Sequence, residues 1–306
     1  MVQEAGNQDA DWKKIQSLMR MDIMMERLPL GTRRFRRFKD SRNNIEGCKM
    51  KKRSLIGMVV ICAVMLAGCG DTAVPEALMP GTSESGGGSA REVLQLEAED
   101  SPEWVTKLSQ ADSAEQLFVV ATHEKTTAWV SMHEKDKDGK WKMICSTPGY
   151  VGKNGTCPDE EHKEGCGQTP VGVYHFTKAF GIADDPGCIM PYTKVDDDTY
   201  WSGDYREGKH YNEMVDIKDI PDLDMENSEH IMDYTYQYQY CLNISFNEDG
   251  TPGRGSAIFL HCLGDRKPYT GGCVAVPMDQ MRYIIQHVKP ECVVVIDSLE
   301  NLGGEF

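Results

Sequence analysis

Basic residues are scarce over most of this 306-residue sequence. Past residue 53 there are 19 Lys and Arg against 41 Asp and Glu, a net of −22. Nucleic-acid binding needs basic surface to face phosphate, so that class of partner is excluded, and so acidic a surface reads as a device for solubility. A membrane-spanning run is missing too: the apolar stretch Leu55 to Leu66 is too short to cross a bilayer comfortably. No Cys-x-x-Cys pair occurs, which removes the usual signature of a structural zinc site. Internal repeats are absent, which excludes a repeat array.

What is there begins with charge of the other sign. Residues 1–53 hold 14 Lys and Arg against 7 Asp and Glu. Lys51, Lys52 and Arg53 form a positive n-region, Leu55 to Leu66 an apolar h-region, and small residues lead into Cys69. This is the layout of a secretory signal, residues 50–68. Its end, Leu66-Ala67-Gly68-Cys69, resembles the bacterial lipoprotein lipobox, which implies cleavage before Cys69 and a lipid anchor on its thiol. The expected location is extracytoplasmic, tethered to the bacterial cell membrane. Met50-Lys51-Lys52 reads as an ordinary start, and residues 1–49 as an over-extended gene start or a long n-region.

Residues 69–109 read as the lipidated cysteine and a flexible linker, because 71–92 is rich in Gly, Ser and Pro. As a coil it would span roughly 35 Å. Val93, Leu94, Leu96, Trp104 and Leu108 allow part of it to be helical. From about residue 110 the pattern is strand: EQLFVVATH, TTAWVSMHEK, KWKMICS, GSAIFLHC and ECVVVID are β-rich, and Asp138-Gly139 supplies a hairpin turn. In YQYCLNISF, Tyr238, Tyr240, Leu242, Ile244 and Phe246 alternate onto one face. One helix stands out: Pro277 in its first turn, an apolar stripe of Met278, Met281, Ile284, Ile285 and Val288, and Pro290 as its stop. The expectation is a single mainly β domain at 110–298 with a few short helices and a tail at 299–306.

Eight cysteines follow Cys69. Cys157 and Cys166 share one polar loop and are the best disulfide candidates; Cys188 and His162 nearby make zinc a weaker alternative. Cys145, Cys241 and Cys292 fall in strand runs and read as small core residues. Cys273, in YTGGCVAVP, is open to four readings: nucleophile, metal ligand, half of a disulfide, or a small buried residue. It follows two glycines, which let a substrate approach the backbone, and precedes a helix whose N-terminal partial charge would lower a thiol pKa. His261, twelve residues upstream, shares a strand face with Ala257 and Phe259 and is a base that a thiol nucleophile would need.

The stretch GSAIFLHCLGDRKPYTGGCVAVP resembles the active-site signature of the YkuD-type L,D-transpeptidases, a His followed by Ser/Thr-x-Gly-Cys. GQTPVGVYHFTKAFG is similar to that family's TPxG strand, and the likeness runs over about residues 116–297. It implies a β-sandwich or barrel with one helix after the catalytic cysteine, acting on peptidoglycan stem peptides. Cys273 is then the nucleophile and His261 the general base, with Thr270, Gly271 and Gly272 forming the active-site loop. Backbone N–H groups near Gly272 and Cys273 would stabilise the oxyanion. A thioester would form with loss of a terminal D-alanine, and a second stem's amine would resolve it to a 3→3 crosslink. The family implies acylation by carbapenems and needs neither metal nor organic cofactor.

Tyr269 and His230 are candidate cleft residues, each with a packing or structural role as the alternative. Trp201, Tyr211 and Asn212 match a family stretch and read as wall-builders, and His175 as structural. The chain departs from the family at Gly271, where many members have histidine, and at Ala275, where many have Arg or Asn. Cys262 replaces a glycine or small polar residue and, by strand alternation, faces away from Cys273. Other functional readings are an L,D-carboxypeptidase, a non-catalytic wall-binding lipoprotein, and a zinc-bound or disulfide-stapled structural protein.

Overall fold

The structure, a computed structural model, describes residues 96–264 and 267–305, all within one compact unit. The expectations for residues 1–49, for the signal at 50–68 and for Cys69 lie outside the described residues. Among the described residues, no helix is long and apolar enough to cross a membrane.

Eight strands close on themselves. They are β2 (Gln116–Thr122), β3 (Thr127–Lys135), β4 (Trp141–Tyr150), β6 (Thr169–Gly181), β11 (Cys241–Ile244), β12 (Phe259–Cys262), β13 (Val274–Val276) and β14 (Val293–Ser298). The order β4-β13-β12-β11-β6-β14-β2-β3 is completed by pairing of β3 with β4, so these eight leave no free edge. Short strands β1 (Glu99–Asp100), β5 (Thr156–Pro158) and β7 (Tyr192–Lys194) add to β4 and β6. A separate small sheet, β10-β8-β9, is made from β8 (Thr199–Trp201), β9 (Met214–Asp216) and β10 (Glu229–His230). This is the mainly β architecture expected from the sequence.

Apolar alternation sorts the strand residues into three clusters. The largest holds Phe118, Val130, Phe176, Leu242, Leu260, Val274 and Ile296 together with Met281, Ile284, Ile285 and Val288. The last four belong to, or directly follow, α2 (Met278–His287), which packs on β4, β11 and β12. Pro277 is the residue just before this helix, and Val288 ends it in an extended conformation. The hairpin turn between β3 and β4 is held by Asp136, whose carboxylate accepts the N–H groups of Asp138 and Lys140 at 2.9 Å, while Gly139 takes φ +76°.

Residues on either side of 110–298 pack on the strands. β1 pairs with β4, and α1 (Glu103–Thr106) buries Val105 with Trp129 and Leu299 in a second cluster. Residues 99–109 and Leu299 therefore belong to the domain, because together they cover the outer apolar face of β2 and β3. The third cluster contains the candidate nucleophile: Phe180, Val195, Trp201, Ile231, Tyr238, Cys241, Ala257, Phe259 and Cys273. It lies where the small sheet covers β11 and β12.

The alternation expected for YQYCLNISF holds for Tyr240, Leu242, Ile244 and Phe246, which lie in or against the first cluster with Cys241 on the other face, and fails at Tyr238. Only Cys241–Ile244 is strand, and Gln237–Gln239 is a 3₁₀ turn. That turn puts Tyr238 in the third cluster, on the face of Cys241, whereas Leu242, Ile244 and Phe246 lie in the first.

Candidate active site

Strands β12 and β13 run parallel, with His261 opposite Ala275 and Leu260 opposite Val274. Cys273 immediately precedes β13, so it and His261 come onto one face, diagonal to each other. Cys262 belongs to the first cluster and Cys273 to the third, opposite faces as alternation requires. The loop joining β12 to β13 ends in Thr270-Gly271-Gly272-Cys273, and two threonines fix it. Thr270 Oγ1 donates to Cys273 O at 2.6 Å and accepts the Gly272 N–H at 3.1 Å. Thr169, at the start of β6, donates to Gly272 O at 2.7 Å and accepts the Gly152 N–H at 2.9 Å. Both threonines are buried.

The two glycines differ physically. Gly272 has φ +155°, and a Cβ there would come within 2.9 Å of Gln168 O and 3.1 Å of Ile258 Cδ1. A side chain at Gly271 would meet nothing within 4 Å. Glycine is required at 272 alone.

His261 Nδ1 lies 2.8 Å from Cys262 O. A carbonyl only accepts, so Nδ1 carries the proton and Nε2 keeps a lone pair, the tautomer of a general base. Burial lowers the imidazole pKa to about 4, so the ring is neutral. The Cys273 sulfur donates to Ala257 O at 3.1 Å and accepts the Phe259 N–H at 3.3 Å. Its pKa is pushed up to about 12, first by burial and then by the charge of Glu229; the N–H groups of Phe259 and Cys273 act the other way.

The resting pair is thus thiol and neutral imidazole, with the sulfur on the Ala257 carbonyl. This corrects the expectation that the following helix lowers the thiol pKa. The extended residues of β13 and Pro277 separate Cys273 from α2 by roughly 16 Å along the chain at about 3.3 Å per residue, beyond the reach of a terminal partial charge. The expected oxyanion donors are also altered, because the Gly272 N–H is committed to Thr270.

Around the pair stand aromatic walls. Phe259 is met edge-on by Trp201 at 4.8 Å, Phe180 at 5.2 Å and Tyr238 at 5.7 Å. Tyr238 also meets the His261 ring at 5.4 Å. Asn212, with φ +61°, ties this wall to the loop that carries Ala257: its Oδ1 accepts from Trp201 Nε1 at 2.8 Å and from the Ala257 N–H at 3.0 Å. Trp201 and Asn212 therefore build the wall, whereas Tyr211 accepts the Gly255 N–H at 3.2 Å on the loop before Ala257.

The other candidates fall elsewhere. Both ring nitrogens of His230 are engaged, with Asp233 Oδ1 at 2.9 Å and Asp197 O at 3.0 Å, and its ring stacks on Tyr200. Its neighbour Glu229, on the other side of β10, turns inward instead and accepts from Tyr238 Oη at 2.8 Å. Tyr269 is exposed beside Lys267, whose ammonium lies over its ring. His175 is exposed and faces Glu248.

Cys157 and Cys166 lie side by side but are free thiols in this structure, so the expected staple is not formed. His162 is not available to zinc, since its two nitrogens lie on Arg254 O at 2.9 Å and Gln168 O at 3.0 Å. Cys145, Cys241 and Cys292 are buried, as core residues should be. Sequence reasoning missed Glu229, Tyr238 and the loop-fixing role of Thr169. Thr169 alone left a signal, as the Thr of the TPxG stretch.

Fold and site together define a closed β-barrel domain that sets a buried cysteine thiol and a base-tautomer histidine on adjacent parallel strands. The chain belongs to the YkuD family, the L,D-transpeptidase catalytic domain, whose model matches residues 115–296 and so contains every residue of the site. No curated protein matches the sequence.

Solved structures similar to the chain include the helical cell shape determining protein Pgp2 from Campylobacter jejuni, at 14% identity over 64% of this chain and 54% of that one, with a TM-score of 0.33. The Ldtfm-avibactam carbamoyl enzyme is 16% identical over 60% and 49% of the two chains, with a TM-score of 0.29. An L,D-transpeptidase from Stackebrandtia nassauensis is 14% identical over 64% and 63%, with a TM-score of 0.27. The chain spans less than two thirds of the length of each. The family match, not these likenesses, carries the assignment.

Proposed function

We propose that the protein is a peptidoglycan L,D-transpeptidase that works through a thioester on Cys273. One observation carries this reading: within the family's catalytic domain, His261 presents a lone pair at Nε2 on the same face as the Cys273 thiol. In the first half-reaction the sulfur leaves the Ala257 carbonyl and attacks the carbonyl carbon of the third stem residue. Nε2 takes the thiol proton and passes it to the departing amine as the C–N bond to D-alanine breaks. In the second, the side-chain amine of another stem attacks the thioester. Its proton passes through Nε2 to sulfur as the C–S bond breaks, leaving a 3→3 amide. The Cys273 N–H is the expected oxyanion donor.

A neutral resting pair suits this cycle, since the thiol is activated only when substrate is present to receive its proton. We also propose that the chain is exported and anchored through a lipid on Cys69. Cys69→Ala should then move the protein from the detergent phase to the aqueous phase in a phase-partition assay; unchanged partition would refute the anchor.

The activity is tested by incubating the full chain with a disaccharide tetrapeptide and weighing the products. Loss of D-alanine with a crosslinked dimer is expected. Loss of D-alanine without dimer would assign a carboxypeptidase instead, and an unchanged substrate would refute both.

A further inference from the structure

Glu229 is an acidic side chain in a place that costs the enzyme something. It is half-buried, and its carboxylate is shielded enough that its pKa rises to about 7. Among the described residues no Lys or Arg pairs with it, and its one hydrogen bond comes from Tyr238 Oη at 2.8 Å. The titratable groups that face it are Tyr234 and Tyr238 from the segment after β10, Glu164 from the loop before β6, Cys241 on β11 and Cys273 from the nucleophile loop. A shielded carboxylate without a cation is unfavourable, and this one also opposes the thiolate.

Such a carboxylate suits a cationic guest. Tyr234, which faces it, is exposed, and its ring face attracts an ammonium. Glu229 is linked to the nucleophile through one side chain, since Tyr238 donates to it by its hydroxyl and meets Phe259 and His261 by its ring.

We propose that Glu229, framed by Tyr234 and Tyr238, recognises the side-chain ammonium of the acceptor stem's diamino acid. The inference rests on the transpeptidase reading and adds the residue that selects the resolving amine. Once bound, the ammonium gives one proton to the carboxylate, and the neutral amine so formed is the group that attacks the thioester.

The probe is a stem tripeptide ending in diaminopimelate, which has no terminal D-alanine and so binds without turnover. Calorimetry on the full chain compares it with the same tripeptide acetylated on its side-chain amine, in wild type and in Glu229→Gln. Acetylation should weaken binding to wild type by roughly 10-fold to 100-fold, the range of a hydrogen-bonded charge, and leave Glu229→Gln binding unaltered. Wild-type affinity should also fall below pH 7 as the carboxylate is protonated, and Glu229→Gln should lack that dependence. In turnover, Glu229→Gln should raise KM for the tripeptide acceptor, whereas acyl-enzyme formation from a tetrapeptide donor, read separately, should be no slower, because the charge opposing the Cys273 thiolate is gone. Equal effects of acetylation on both proteins, or no binding of the tripeptide to wild type, would overturn the inference. Absence of any wild-type acyl-enzyme would instead overturn the transpeptidase reading, which the binding comparison does not use.

Discussion

Cys273 should be a slow thiol in the free protein. Burial and the Glu229 carboxylate push its pKa up to about 12. An ordinary cysteine titrates near 8.5, so at any neutral pH the thiolate fraction here is lower by roughly three orders of magnitude. The imidazole cannot compensate at rest. Burial holds it neutral with a pKa of about 4, and the sulfur is hydrogen-bonded to Ala257 O instead. Alkylation by iodoacetamide, followed by peptide mass spectrometry so that Cys273 is read separately from other cysteines, measures this directly. The Cys273 rate should keep rising with pH beyond 9, and His261→Ala should change it little. Glu229→Gln should speed it up, because one opposing charge is gone. A rate that levels off below pH 8.5 and collapses in His261→Ala would refute the neutral pair and indicate a resting thiolate–imidazolium.

Acid should destabilise the fold through buried histidines. Burial lowers His261 to about 4 and His133 to about 3, so the folded state refuses protons that the unfolded chain accepts from about pH 6.5 downward. Stability is then full above pH 6.5 and lost as pH falls, by roughly 2–3 kcal/mol per histidine at pH 4.5, read as a lower urea midpoint. His133→Gln should flatten part of this fall, and an unchanged slope would contradict the assignment. Gly272→Ala should cost about 2 kcal/mol or more, from positive φ and contact with Gln168 O, whereas Gly271→Ala should be near neutral. Equal melting temperatures for the two variants would refute that contrast. Thr169→Val removes the bonds to Gly272 O and Gly152 N–H and should lower stability by about 1–3 kcal/mol while slowing acyl-enzyme formation; an unaltered rate would show that the loop is fixed by Thr270 alone.

The legible part of this protein was written in local pattern. Strand alternation and the Pro-bounded apolar stripe gave the β-rich body and α2, whereas residue type and spacing left Cys273 open to several roles, and the resemblance to the YkuD signature singled out His261 and Cys273. What escaped was set by tertiary placement. Glu229 lies on a two-residue strand, too short for any alternation to mark it as inward, and so its neighbour His230 drew attention in its place. Tyr238 was assigned to the wrong face because a 3₁₀ turn, not a strand, sets its direction. The short segments that cover β2 and β3 left no signal because they have no periodicity of their own, only burial of Val105 and Leu299.

The central claim is that Cys273 is the residue that carries the acyl group. Intact-mass measurement of the full chain after brief exposure to a disaccharide tetrapeptide, with proteolytic mapping of the adduct, tests it most directly. The account predicts a mass gain equal to the stem minus D-alanine on the peptide containing Cys273, and none in Cys273→Ala. A mapped adduct on another cysteine, or D-alanine release that persists in Cys273→Ala, would contradict it.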